Sequence, residues 1–251
     1  MSNFFDVDGS VRTQGMMGTN YSKNLYFDNV KFNTFDAHRG SYNVTVENSE
    51  LVYLSIIGAG KLTVKNTTFY TTRMGTNITH AIWLRDDYGS TFWGDMEIDN
   101  VELKYAEMRT VSSNGTVNYQ GKFPEISLIS AVWAPYHDFG YECALPANIS
   151  INNVYVTRID YGIDTNGNRW ETEMSKNEHQ LYLFPSALLA YTSIDIYRDD
   201  KMFSAGQMKE IVNPYKPCDT IIITNCSGVK WVLPATPQFK ETVITIDGVE
   251  Q

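Results

Sequence analysis

The stretch that decides the fold is VTVENSEL at Val44–Leu51, followed by LTVKNTTF at Leu62–Phe69. Each alternates apolar and polar residues, reaches an Asn, and resumes with an apolar residue three positions later. The same figure recurs as LYFDNVKF (Leu25–Phe32), MEIDNVEL (Met96–Leu103), ISINNVYV (Ile149–Val156) and IIITNCSG (Ile221–Gly228). Alternation marks half-buried strands. Asn at a fixed place marks a bend, because its short amide tolerates left-handed backbone and can bond to its own kind in a ladder.

The shared residues are Asn29, Asn48, Asn66, Asn100, Asn153 and Asn225, at spacings of 19, 18, 34, 53 and 72. The first two spacings suit one coil of a stacked β-structure. The later ones are about two, three and four such periods, which predicts inserted loops, intervening coils of weaker pattern, or both. Ile126–Trp133 reads as one such apolar strand. The expected architecture is all-β: a right-handed parallel β-helix with loop insertions and a C-terminal capping segment. It forms one domain over 1–251, with core coils at about 20–233 and a cap at 234–251. A left-handed helix would need an apolar residue every six positions, and a propeller would need longer blades.

Composition agrees. Charged residues are 20% of the chain, and the net charge of −9 argues against nucleic acid, whose binders cluster Lys and Arg. No apolar run is long enough for a membrane-crossing helix. The start, Met1-Ser2-Asn3-Phe4, lacks the basic and apolar regions of a secretory signal. Three Cys without CxxC spacing fit neither a disulfide framework nor a zinc site, although Cys218 and Cys226 are spaced to face each other across a turn. No motif calls for a metal or cofactor.

Stacking the coils by their Asn brings polar corners together. FDAHRG (Phe35–Gly40) and LRDDYGS (Leu84–Ser90) fall two coils apart, with Gly40 and Gly58 at one offset and Gly89 joining them after a short insertion. Two coils are about 10 Å, near the carboxylate separation of inverting glycosidases. Asp36 and either Asp86 or Asp87 are therefore candidate catalytic carboxylates, with His38 as acid or base. Arg39 and Arg85 are candidates for an acidic sugar group. Tyr88, Trp93 and Trp170 are candidates for stacking on sugar rings, with His137 and Asp138 from a further corner. Asp and Arg at a Gly corner also serve to satisfy the backbone and each other, and that structural reading stands beside the catalytic one. The segments Glu107–Pro124 and Ile159–Gln180 read as loops walling a site. The tail LPATPQFKETVITIDGVEQ, with a last strand at Val243–Ile246, reads as the cap.

The repeated VxVxNS/T coil resembles the pectate-lyase-like superfamily of right-handed β-helices. The blocks FDAHRGSYNVTVENS and LRDDYGSTFWGD are similar to tail-associated β-helix proteins of bacteria and their phages. The resemblance implies a homotrimer, or part of a larger assembly, on a virion or outside the cell. It also implies a bacterial surface polysaccharide as partner, bound or depolymerised by hydrolase or lyase chemistry. A secreted glycoside hydrolase or lyase and a non-catalytic spacer in a fibre remain alternatives. The calcium-binding Asp cluster of the lyases and the NTD, DD and RIK blocks of the polygalacturonases are absent, so no catalytic residue carries over.

Overall fold

The structure is a computed structural model. It describes residues 16–32, 34–71, 78–85, 92–111, 117–119, 125–131, 143–163, 169–173, 179–184, 196–198, 201–203, 215–216, 218–234 and 239–251. Among these the fold is all-β. One curled, mostly parallel sheet of sixteen strands carries nearly all the regular structure.

The long strands bend, so the sheet runs as three adjoining ladders. The first joins Met16–Thr19, the opening residues of Thr34–Glu47 and of Tyr53–Thr71, then Ile78–Leu84, Glu125–Ala131, His179–Tyr182 and Val229–Val232. The second joins Lys23–Asp28, the rest of Thr34–Glu47, the middle of Tyr53–Thr71, and the first halves of Phe92–Val111 and Asn148–Ile163. It ends with Thr220–Thr224 and Val243–Ile246. The third joins Glu50–Leu51 to the ends of the three long strands that follow. Every pairing in the three ladders is parallel, with rungs ~4.8 Å apart.

Alternate side chains turn inward and stack in register. In the second ladder the column is Val44, Leu62, Met96, Ile149, Ile221 and Ile244, all buried. Phe35, Leu54, Ile82 and Ile129 form a column in the first ladder. Leu51, Phe69, Leu103 and Val156 form one in the third. The columns meet in one apolar core.

The six repeat Asn are the bends between the second and third ladders. All six have positive φ, from 47° to 56°. Their amides chain together. Asn66 Nδ2 donates to Asn48 Oδ1 (3.1 Å), Asn100 to Asn66 (2.8 Å) and Asn153 to Asn100 (2.9 Å). At the first rung Asn48 donates to Asp28 instead (2.7 Å). At the far end Asn225 donates to Asn152, and its backbone N–H donates to Asp247 Oδ1.

Three expectations are corrected. The strand registers repeat the Asn spacings of 34, 53 and 72, so these strands are direct neighbours and the extra residues are insertions, with no rung between them. The apolar segment at Ile126 is a strand, Glu125–Ala131, but in the first ladder. Second, Gly40 and Gly58 do not share a place. Gly58 lies opposite Ser41 on one side and Phe92 on the other, because 38–40 are a bulge facing the single residue Ile57. Third, the two insertions contain antiparallel hairpins. Arg109–Val111 pairs with Val117–Tyr119, and Ile159–Ile163 pairs with Arg169–Glu173.

The tail strand Val243–Ile246 falls where expected and adds a last parallel rung. Asp247 and Gly248, both at positive φ, then turn the chain back as Val249–Glu250, which pairs antiparallel with Thr245 and Ile246. The parallel ladder ends on that reversal. Cys218 and Cys226 are free thiols, so the bridge their spacing allows is not made.

Candidate functional site

Outward from the first ladder, Asp36, Ser55 and Trp83 stand in one row on three successive rungs. Arg85 follows Ile78–Leu84, and its backbone N–H donates to Ile56 O. Its guanidinium reaches across the row to Asp36, with Nη1 2.5 Å from Oδ2. The two corners are thus two rungs apart, as stacking by Asn predicts. Both side chains are largely covered, Arg85 at 18% and Asp36 at 23% exposure. Arg85 also lies 5.9 Å over the Trp83 ring, a cation–π distance. One oxygen of the Asp36 carboxylate is thus taken up by the guanidinium.

Around this pair the rings of Tyr53, His80 and Trp83 pack together, with centroids 5.7–6.2 Å apart. Burial of the His80 imidazole pushes its pKa down to about 4, so it is neutral at physiological pH. Asp36 Oδ1, Ser55 Oγ and His80 Nε2 are all buried without a hydrogen-bond partner among the described residues.

A second arrangement lies beside the bend between the first and second ladders. One row of the second ladder reads Lys23, Tyr42, Ala59 and Trp93. Tyr42 is 46% exposed and Trp93 38%, two rungs apart with only the Ala59 methyl between. Tyr42, and Tyr21 one rung before it, lie against glycines of the next rung. A Cβ on Gly60 would come within 3.0 Å of the Tyr42 ring, and one on Gly40 within 2.6 Å of the Tyr21 ring. Rings laid against glycine backbone replace the missing side-chain packing. Tyr21, 72% exposed, extends the aromatic edge one rung further.

Several other polar side chains on the second ladder's outer face bind one another. Glu97 binds Lys61 (2.6 Å) and Lys65 (2.8 Å), and these hydrogen bonds hold its carboxyl below the usual range. Asn148 donates to Asp95, Thr220 to Asn148, and Asn152 to Asp99.

Of the residues singled out from the sequence, the structure brings Asp36 and Arg85 into contact and places Trp93 on the exposed edge. His38 and Arg39 lie in the 38–40 bulge and Trp170 in the 169–173 hairpin strand, on described backbone whose side chains are not described. Asp86, Asp87, Tyr88, His137 and Asp138 lie outside the described residues, so the second carboxylate of a catalytic pair has no place in the geometry above.

Tyr42, Tyr53 and His80 were not singled out. Simple alternation puts Tyr42 on the inward side with Val44. Asn43 at φ 54° reverses the alternation, so Ser41 and Val44 are buried while Tyr42 is exposed. The signal was an Asn preceded by an aromatic, five residues ahead of the next bend at Asn48. No group of three or more His, Cys, Asp or Glu able to hold a metal occurs among the described residues. No family model, curated protein or solved structure matches the chain.

Proposed function

We propose that this chain is a right-handed parallel β-helix, of the pectate-lyase-like kind that its repeats resemble, and that it binds a polysaccharide on the aromatic edge formed by Tyr42 and Trp93. The carrying observation is the register row itself. Two exposed rings stand in line on a rigid sheet, two rungs apart, with a small residue between. Sugar rings present apolar faces that stack on such surfaces, and a rigid scaffold holds the rings ready without an ordering cost. Lys23, in the same row, adds a donor for hydroxyl or acidic groups.

The role proposed is adsorption, without bond cleavage. Asp36, the one described candidate for a catalytic carboxylate, is committed to Arg85. On the resemblance to tail-associated proteins, the polysaccharide is a bacterial surface glycan and the working form is a trimer in a virion. The competing reading is a stiff spacer. It draws support from the outer face of the second ladder, where Glu97 binds Lys61 and Lys65, Asn148 binds Asp95 and Thr220, and Asn152 binds Asp99.

A panel of bacterial capsular and wall polysaccharides, assayed for both retention of the protein and release of oligosaccharides, separates these. Retention without release is expected. Release of oligosaccharides would make the protein an enzyme, with unsaturated products marking a lyase. Neither retention nor release across the panel would leave the spacer.

A further inference from the structure

We propose that Asp36 and Ser55 together hold one buried water molecule, a built-in hydration site that completes the Asp36–Arg85 ion pair. This inference is independent of the polysaccharide reading.

Asp36 and Ser55 are register partners on neighbouring parallel strands, so their backbones are ~4.8 Å apart and their side chains rise on the same side. Arg85 occupies one oxygen of the carboxylate, Oδ2. The other, Oδ1, is buried without a hydrogen-bond partner among the described residues, and so is the Ser55 hydroxyl beside it. Ser55 is 1% exposed. Two orphaned polar atoms thus stand on adjacent rungs of one row.

The chemistry selects the guest. A carboxylate accepts only, and a serine hydroxyl both donates and accepts. Water matches both at once: it donates to Oδ1 and exchanges a second bond with Ser55 Oγ. Buried waters sit where polar groups would otherwise stay unsatisfied. A metal ion would need more ligands: no group of three or more His, Cys, Asp or Glu able to hold one occurs here among the described residues. Trp83 is the register partner of Ser55 on the next rung, and its ring packs against that of Tyr53. The site also answers why a largely covered ion pair persists here: such a pair stabilises only when its remaining lone pairs are satisfied.

The sign of one substitution discriminates. If Ser55 Oγ is a dry orphan, Ser55→Ala removes an unsatisfied polar group and raises the urea midpoint. If it holds a water for Asp36, the same change strands the carboxylate, and the midpoint falls. A fall is expected; an unchanged or raised midpoint overturns the proposal. A high-resolution crystal structure of the wild-type chain reads the site without a variant. It is expected to show a density peak about 2.8 Å from both atoms. No peak, or a direct bond from Ser55 Oγ to Asp36, overturns it.

Discussion

A single Asn in left-handed backbone does two things at the middle rungs of this protein. It turns the chain at little conformational cost, and its amide bonds to the amide one rung away. The residue after it often finishes the turn. Ser49, Thr67 and Cys226 each donate back to the carbonyl two residues earlier, at Glu47, Lys65 and Thr224. The thiol takes the place of a hydroxyl here, which explains why Cys226 sits in a repeat position and pairs with no other Cys. Asn66 makes the test case, because it both donates to Asn48 and accepts from Asn100. Asn66→Ala forces a Cβ-bearing residue without an amide into left-handed backbone and costs about 1–2 kcal/mol or more. Asn66→Gly removes the same amide but relieves the backbone, and costs less. Urea unfolding of the two variants checks the order; equal losses would mean the amide ladder alone matters.

At the scale of the strands, the second bend row tells more than the first. It runs Asn24, Asn43, Gly60 and Gly94, all at positive φ. Asn43 donates to Asn24 and accepts from the Lys61 N–H, each at 3.0 Å. The two glycines differ in what they touch. A Cβ on Gly60 meets the Asn43 side chain, which can move, whereas a Cβ on Gly94 meets the Gly60 backbone carbonyl, which cannot. Gly94→Ala is expected to cost about 3 kcal/mol or more, and Gly60→Ala distinctly less. Thermal unfolding of both decides, and equal losses would contradict the crowding argument.

This row also marks the limit of what the residue pattern disclosed. The Asn29–Asn225 series was legible because each Asn follows two inward apolar residues at a fixed place. The bend at Asn24, Asn43, Gly60 and Gly94 mixes two residue types and shifts the register, so counting back from the repeat Asn misaligned Gly40 with Gly58. Part of the candidate site went unread for the same reason: Tyr42 is exposed only because Asn43 resets the alternation. Asp36 and Arg85 were found because the stacking distance depends on whole rungs, which the Asn series does fix.

For the whole molecule, the buried His80 ties stability to pH. Its pKa is lowered from 6.5 to about 4 by burial, so the folded state holds the neutral ring. The unfolded chain binds that proton more readily. The contribution is full above pH 6.5 and drains away as pH falls toward about 4, by up to about 1.4 kcal/mol per unit. Carboxylates titrate nearby, so the comparison that isolates the ring is wild type against His80→Phe, unfolded in urea at pH 7 and pH 4.5. The wild type is expected to lose the more stability; equal losses would mean that His80 takes up its proton without opening the Tyr53–Trp83 packing. The parallel ladders and the apolar columns otherwise make a stacked register in which each rung is held by its neighbours.

Such a scaffold matters for function through what it keeps in line, and the aromatic edge is what it keeps in line here. The decisive measurement is affinity electrophoresis of the wild-type chain and of Tyr42→Ala and Trp93→Ala through gels containing each polysaccharide of the panel. The account predicts a polysaccharide that retards the wild type, with retardation weakened on the order of tenfold by either substitution while the fold, read by circular dichroism, is kept. Retardation unchanged in both variants would contradict it, since the binding surface would then lie elsewhere on the molecule.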